Sequence, residues 1–241
     1  MLRDRSPSRA MKILVVPDIH CKWQKADYIV KRFEADKVVL LGDYFDNFGD
    51  SPKLNGRTAE WLIKFLNEEG HIALLGNHEL NYFQGKCICQ CSGYSKAKSD
   101  RIDQIMSLAD WRKLVPYYFS QGWYFTHAGI SKYIGEHPIN GFDPLSFNKT
   151  IERDYESMIM CNSFHSTCFR VGRYRGGRAK SGGITWCDFN HEFEPIEGLK
   201  QVFGHTPLKE PKNIGDNWCI DTHLKHVAII ENGLLRVVAV D

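Results

Sequence analysis

The hydrophobic positions of this 241-residue chain fall into short apolar runs separated by amphipathic stretches. Lys12–Pro17 (KILVVP), Lys37–Leu41 (KVVLL) and His71–Leu75 are dominated by β-branched and aliphatic residues, the pattern of buried strands. Between them, Gln24–Ala35 places Ala26, Ile29, Val30 and Phe33 at helical spacing, and Thr58–Glu69 does the same with Trp61, Leu62, Phe65 and Leu66. Strand–helix–strand alternation of this kind predicts an α/β layered fold. Further on, helices are predicted over Ile102–Leu114 and Pro144–Met160. Tyr117–Phe119 and Trp123–Thr126 read as a hairpin around Gln121-Gly122, and Leu199–Phe203 as another buried strand. The tail, His226–Val240, alternates around Asn232-Gly233, a strong hairpin turn signal. Asn81–Ser99 is polar and rich in Cys, Gly and Ser, and reads as an excursion over whatever the strand ends form. Phe169–Gly183 is a Gly- and Arg-rich loop. Residues 1–11 are read as a mobile extension and 12–241 as one domain.

Composition adds little to that picture but excludes several classes. A net charge of +2 and a pI near 8.1 do not mark a nucleic-acid binder. No apolar run reaches the roughly 20 residues that span a bilayer, so no membrane partner is expected. The basic, polar start lacks the apolar core of a secretory signal, and the eight cysteines are scattered. Both features fit reduced thiols and a cytoplasmic location. Cys87, Cys89 and Cys91 alternate, which is not the spacing of a zinc ribbon.

The chemistry sits where the apolar runs stop. Asp18-Ile19-His20 follows the first, Gly42-Asp43 the second, and Gly76-Asn77-His78-Glu79 the third; Thr126-His127-Ala128-Gly129 and Gly204-His205-Thr206-Pro207 come later. In α/β sheets, ligands collect outside the carboxyl ends of the strands. On an extended backbone Asp18 and His20 point the same way, so both could reach one cation. Asp43 could bridge two, and Asn77, His127 and His205 could complete the second. Two metals about 3.5–4 Å apart with a water between them make a nucleophile at neutral pH and clamp phosphate oxygens. The carboxylate, amide and imidazole set suits manganese, and also iron, zinc or nickel.

These residues resemble the calcineurin-like metallophosphoesterase superfamily, with the pattern nearest its bacterial and phage serine/threonine phosphoprotein phosphatases. The resemblance runs from about Lys12 to Asp221. The family motif G-D-x-H-G is Pro17-Asp18-Ile19-His20-Cys21 here, keeping both ligands and neither glycine. G-D-x-x-D-R-G is Gly42-Asp43-Tyr44-Phe45-Asp46-Asn47-Phe48, while G-N-H-E, H-A-G and G-H-T-P are intact. The resemblance implies a β-sandwich core flanked by helices. It implies one divalent ion on Asp18, His20 and Asp43 and a second on Asp43, Asn77, His127 and His205. It makes His78 the general acid, oriented by Asp46, and Glu79 a support. The family's phosphate-binding Arg is Asn47 in this chain. Asn47 itself, with Arg173 and Arg175 from the Arg-rich loop, is therefore a substrate-binding candidate. Tyr44 and Trp186 are the aromatic residues expected to face substrate. Cys21 reads either as a small filler or as an oxidation-sensitive thiol near the metals.

The implied activity is metal-dependent hydrolysis of phosphomonoesters, on phosphoserine/threonine protein or small aryl phosphates, by a metal-bridging hydroxide and without a phosphoenzyme. Pro207 stands where phosphodiesterase branches often carry another metal-binding His. The alternatives are a dinucleoside polyphosphate hydrolase, a phosphodiesterase of cyclic nucleotides or RNA ends, and a non-catalytic binding module. All six predicted ligands are present, which gives the last little support.

Overall fold

A computed structural model describes residues 11–83, 91–134, 137–139, 142–161 and 166–241. Residues 1–10 of the predicted N-terminal extension therefore lie outside the described residues, as do Cys87 and Cys89.

Two five-stranded sheets face each other. The first has the order β12-β11-β1-β2-β3, built on β1 (Lys12–Val16), β2 (Lys37–Leu40) and β3 (His71–Ala73), which run parallel. Its other edge is the hairpin of β11 (His226–Glu231) and β12 (Leu234–Ala239), turned by Asn232 and Gly233 at φ 53° and 74°. Two consecutive positive φ values are what the predicted Asn-Gly turn supplies without strain. The second sheet has the order β4-β5-β8-β10-β9. Here β5 (Trp123–Phe125), β8 (Gln201–Phe203) and β10 (Asn217–Cys219) are parallel, and β4 (Tyr118–Ser120) and β9 (Lys212–Ile214) are antiparallel edges. A separate two-stranded ribbon pairs β6 (Tyr133–Ile134) with β7 (His137–Pro138).

Strand alternation divides the core. Ile13 and Val15 of β1 join Val39, Phe125, Val202 and Ile230 between the sheets. Leu14 and Val16 point the other way, into the larger cluster with α1 (Trp23–Phe33) and α2 (Pro52–Leu66). The expected sandwich flanked by helices is thus what the chain forms, because the central strands of the first sheet are apolar on both faces.

Two helices differ from the periodicity reading. α2 begins earlier, at Pro52, because the Ser51 hydroxyl accepts the Leu54 N–H at 3.2 Å and Pro52 occupies the first turn. The single helix expected over Ile102–Leu114 is instead α4 (Lys96–Asp103) and α5 (Leu108–Trp111). Ser107 and Asp110 form a reciprocal capping box that starts a new helix, which apolar spacing alone does not reveal. Of the remaining helices, α3 is a single turn, Glu79–Tyr82, and α6 spans Pro144–Cys161.

Tyr44, expected to face substrate, is fully buried, and its hydroxyl donates to the Leu74 carbonyl at 2.8 Å. Next to it, Phe45 carries the second motif into the core against Tyr82 and Trp111, with ring centroids 5.6 and 6.2 Å away. Trp111 also meets Phe83 at 5.5 Å and is itself fully buried. Trp111→Ala should cost about 3–5 kcal/mol, a fall in Tm on the order of 10 °C by differential scanning fluorimetry. A Tm within about a degree of wild type would show that this cluster does not anchor the second motif.

Candidate metal centre

Both sets of parallel strands end at one rim, and the loops leaving β1, β2, β3, β5 and β8 carry the predicted residues there. The backbone bends sharply to present them: His20, Asp43, Asp46 and His205 have φ of 43°, 50°, 63° and 66°. L residues seldom adopt these angles, and such strain concentrates at functional sites. Two glycines allow the loops to touch. A Cβ on Gly76 would run into the Asp43 carboxylate, and one on Gly204 into Asp18.

Asp43 is the common partner. Its Oδ2 lies 3.4 Å from His127 Nε2, 3.8 Å from His20 Nε2 and 4.0 Å from His78 Nε2. Two clusters result, His20–Asp43–His78 and Asp43–His127–His205. Asn77 joins the second, with Oδ1 2.9 Å from His127 Nε2. Asp18 falls outside both clusters. Its oxygens each lie 3.1 Å from the His205 N–H, and burial, then Asp221 and Asp43, push its carboxyl well above the usual range.

The donor set fits cations for a reason visible in the hydrogen bonds. His127 Nδ1 donates to the Leu41 carbonyl at 2.8 Å, and His20 Nδ1 to the Asp46 carbonyl at 2.7 Å. A carbonyl only accepts, so each ring spends its Nδ1 proton on the main chain and turns the Nε2 lone pair inward. For His20 that lone pair faces Asp43 Oδ2; for His127 it faces Asp43 Oδ2, Asn77 Oδ1 and, at 3.1 Å, His205 Nδ1. His205 Nε2 is buried with no hydrogen-bond partner, as is Asp221 Oδ2. Converging lone pairs and buried carboxylates demand positive charge. Burial opposes protonation of His127, but Asp43 and Asp18 overcome it and raise the ring to about 10. The same field attracts a metal ion, and proton and ion compete for one Nε2.

His78 is held differently. Its Nδ1 sits 2.9 Å from Asp46 Oδ2. Burial lowers its basicity, yet Asp43 and the Asp46 hydrogen bond prevail and raise it to about 10. Glu79 is fully buried and accepts the N–H groups of Asp43, Tyr44 and Gly76 at 2.8, 2.8 and 2.9 Å. It ties the second motif to the third.

The centre opens into a cavity of about 780 Å³. Of the three substrate-binding candidates, Arg175 and Asn47 line it and Arg173 does not. Arg173 is exposed, its guanidinium 5.6 Å from the Tyr174 ring. Arg175 is anchored by Asp188 at 3.0 Å and Thr206 Oγ1 at 3.2 Å, which leaves its buried Nε without a partner. The Asn47 side-chain oxygen accepts the neighbouring Phe48 N–H at 2.9 Å, so it serves its own turn. Trp186 lines the cavity as expected. Cys21 does not: burial pushes its thiol up to about 12, and it donates to Asn55 Oδ1 at 3.4 Å. That is a packed thiol rather than a reactive thiolate.

Sequence reasoning missed Phe48, Cys91, Lys98 and His223, all of which line the cavity. Phe48 is wholly exposed on a turn in which the Asp50 N–H reaches the Asn47 carbonyl at 3.2 Å and Gly49 takes φ 73°. The F-G pair was a readable turn signal. Nothing local marked Lys98.

A family model described as calcineurin-like phosphoesterase matches residues 11–209. The chain belongs to that family, and by class it is a hydrolase of phosphoesters. No curated protein matches it significantly. Among solved structures, it superposes on a provisionally assigned diadenosine tetraphosphatase with a TM-score of 0.54 and 13% identity, over 97% of this chain and 95% of that one. A serine/threonine phosphatase from Saccharomyces cerevisiae, similar to human phosphatase PP5, gives 0.53 and 12% over 98% and 82%. At such identities the likeness is one of fold. Among the described residues no helix is long and apolar enough to cross a membrane.

Metal binding should be readable without turnover. Manganese added to metal-stripped protein at a hundred times its Kd contributes about 2.7 kcal/mol, raising Tm on the order of 5–10 °C. Asp43→Asn should abolish most of that rise. A Tm indifferent to manganese, zinc, iron and nickel would argue against a cation site.

Proposed function

We propose that this chain is a two-metal phosphomonoesterase acting on phosphoserine/threonine protein or small aryl phosphates. Asp18, His20 and Asp43 would hold one ion; Asp43, Asn77, His127 and His205 would hold the other. Bound there, divalent cations supply Lewis acidity toward the phosphoryl oxygens and activate water.

The observation that carries the reading is the His78–Asp46 pair, 2.9 Å apart at the edge of the lone-pair cluster. Asp46 fixes the Nδ1 proton and supports the imidazolium, so Nε2 can give its proton to the leaving oxygen. Arg175 is the residue we assign to the phosphate oxygens: it lines the cavity and its Nε has no other partner. The cavity is far larger than a phosphate and has exposed Phe48 and Pro207 in its lining, which suits a bulky leaving group. Pro207 also supports monoester over diester chemistry.

The test is hydrolysis of 4-nitrophenyl phosphate with manganese, beside bis(4-nitrophenyl) phosphate, a phosphoserine peptide and a dinucleoside tetraphosphate. Monoester activity lost in Asp43→Asn supports the reading. A diester or dinucleotide preferred by tenfold or more would replace it with the phosphodiesterase or nucleotide-hydrolase alternative. His78→Asn should lower kcat on a poor leaving group by about 10²-fold or more with metal content unchanged. Loss of metal instead would make His78 a ligand.

Arg175→Ala should raise KM about tenfold or more, the scale of a lost charge-assisted hydrogen bond. Arg173→Ala should leave both constants within about twofold. The reverse pattern would move phosphate binding to the exposed end of the loop.

A further inference from the structure

Lys98 is 6% exposed, an uncommon place for an ammonium group. It reaches the centre from α4, whose N-cap Ser95 accepts the Lys98 N–H at 3.3 Å. Its Nζ lies 3.1 Å from Asp46 Oδ1, 2.5 Å from Asp50 Oδ1 and 2.6 Å from the Gly93 carbonyl. An ammonium has three protons, and here three acceptors take them. None is left for a substrate phosphate.

Those contacts close a ring around Asp46. Asp50 Oδ2 accepts from Asn55 Nδ2 at 2.6 Å, and Asn55 Oδ1 accepts the Asp46 N–H at 3.2 Å. On the carboxylate itself, Oδ1 takes the Tyr82 hydroxyl at 2.5 Å as well as Lys98. Only Oδ2 remains for His78. Asp46 sits at φ 63°, a conformation it would leave if unrestrained. Gly93 packs against it so closely that a Cβ there would strike the Asp46 side chain.

We infer that Lys98 is a positioning residue for the acid pair: with Tyr82 it occupies Asp46 Oδ1, so that Oδ2 alone meets His78 and aims the ring's Nε2 into the cavity. The same ammonium ties the turn bearing Phe48 to that pair through Asp50. This rests on the phosphomonoesterase reading and adds the residue that orients its general acid. A proton held 1 Å out of place loses much of its value in catalysis. The loss falls on substrates whose leaving group must be protonated.

The experiment compares Lys98→Met with wild type on phenyl phosphate and 4-nitrophenyl phosphate, each enzyme loaded with manganese. Phenolate is a strong base and needs the proton; 4-nitrophenolate leaves without it. Lys98→Met should lower kcat for phenyl phosphate by about 10- to 100-fold, within the range a general acid contributes. For 4-nitrophenyl phosphate the fall should be at least about fivefold smaller. KM should stay within about twofold and metal content should be unchanged. Tyr82→Phe removes the other donor on Oδ1 with less disturbance and should show the same leaving-group signature, which keeps the idea testable if Lys98→Met folds poorly. Equal falls on both substrates in both variants, or a raised KM with unchanged kcat, would overturn the assignment alone. A wild-type protein that cleaves neither substrate would sink the parent reading and this one with it.

Discussion

The buried carboxylate of Asp43 brings negative charge into the wall of the cavity, and the surrounding loops are tied to that one residue. Its Oδ1 accepts the His78 N–H at 3.0 Å, and its Oδ2 faces the Nε2 atoms of His20, His78 and His127. Its carbonyl accepts the N–H groups of Ile19 and His20 at 3.0 and 2.8 Å, and its own N–H is held by Glu79. Burial penalises the charge, but His127 and then His78 hold the carboxyl well below its usual range. A buried anion surrounded by imidazoles is stable only while something positive shares the space, whether protons or metal ions. The need for compensation links this geometry to divalent-metal chemistry.

The sandwich exists to hold that anion still. Parallel strands from two sheets finish at one rim, so loops from distant parts of the chain meet without long excursions. The bends they make are unfavourable, with His20, Asp43, Asp46 and His205 all at positive φ. Strain of about 1–3 kcal/mol per residue persists only where the surroundings over-determine it. Here the apolar strands behind the rim and the three N–H bonds of Glu79 supply that determination.

Above the rim, the segment after the third motif works as a second layer. It supplies Gly93 and Lys98 against Asp46, and Cys91, whose N–H is taken by Asn81 and whose thiol donates to the Asn77 carbonyl at 3.3 Å. The polar composition of this stretch suggested a cover. Its described residues, 91–98, cover Asp46 and Asn77.

Much of this was legible from the chain alone. The strands, most of the helices, the Asn232-Gly233 hairpin and the residues gathered at the centre follow from local facts: apolar runs, turn residues and polar groups within a few positions of a strand end. Strand direction then brings those groups together, so their convergence was implied once the alternation was seen. Tertiary structure alone decided the rest. It sent Arg175 inward and left Arg173 on the surface, because Asp188 anchors only the former. It buried Tyr44 in the core and left Phe48, four positions later, exposed at the tip of the turn that the Asp50 N–H closes onto the Asn47 carbonyl. It set Lys98 on Asp46 across 52 positions of sequence. No periodicity or motif encodes a contact at that separation; it exists only when α4 packs over the second motif.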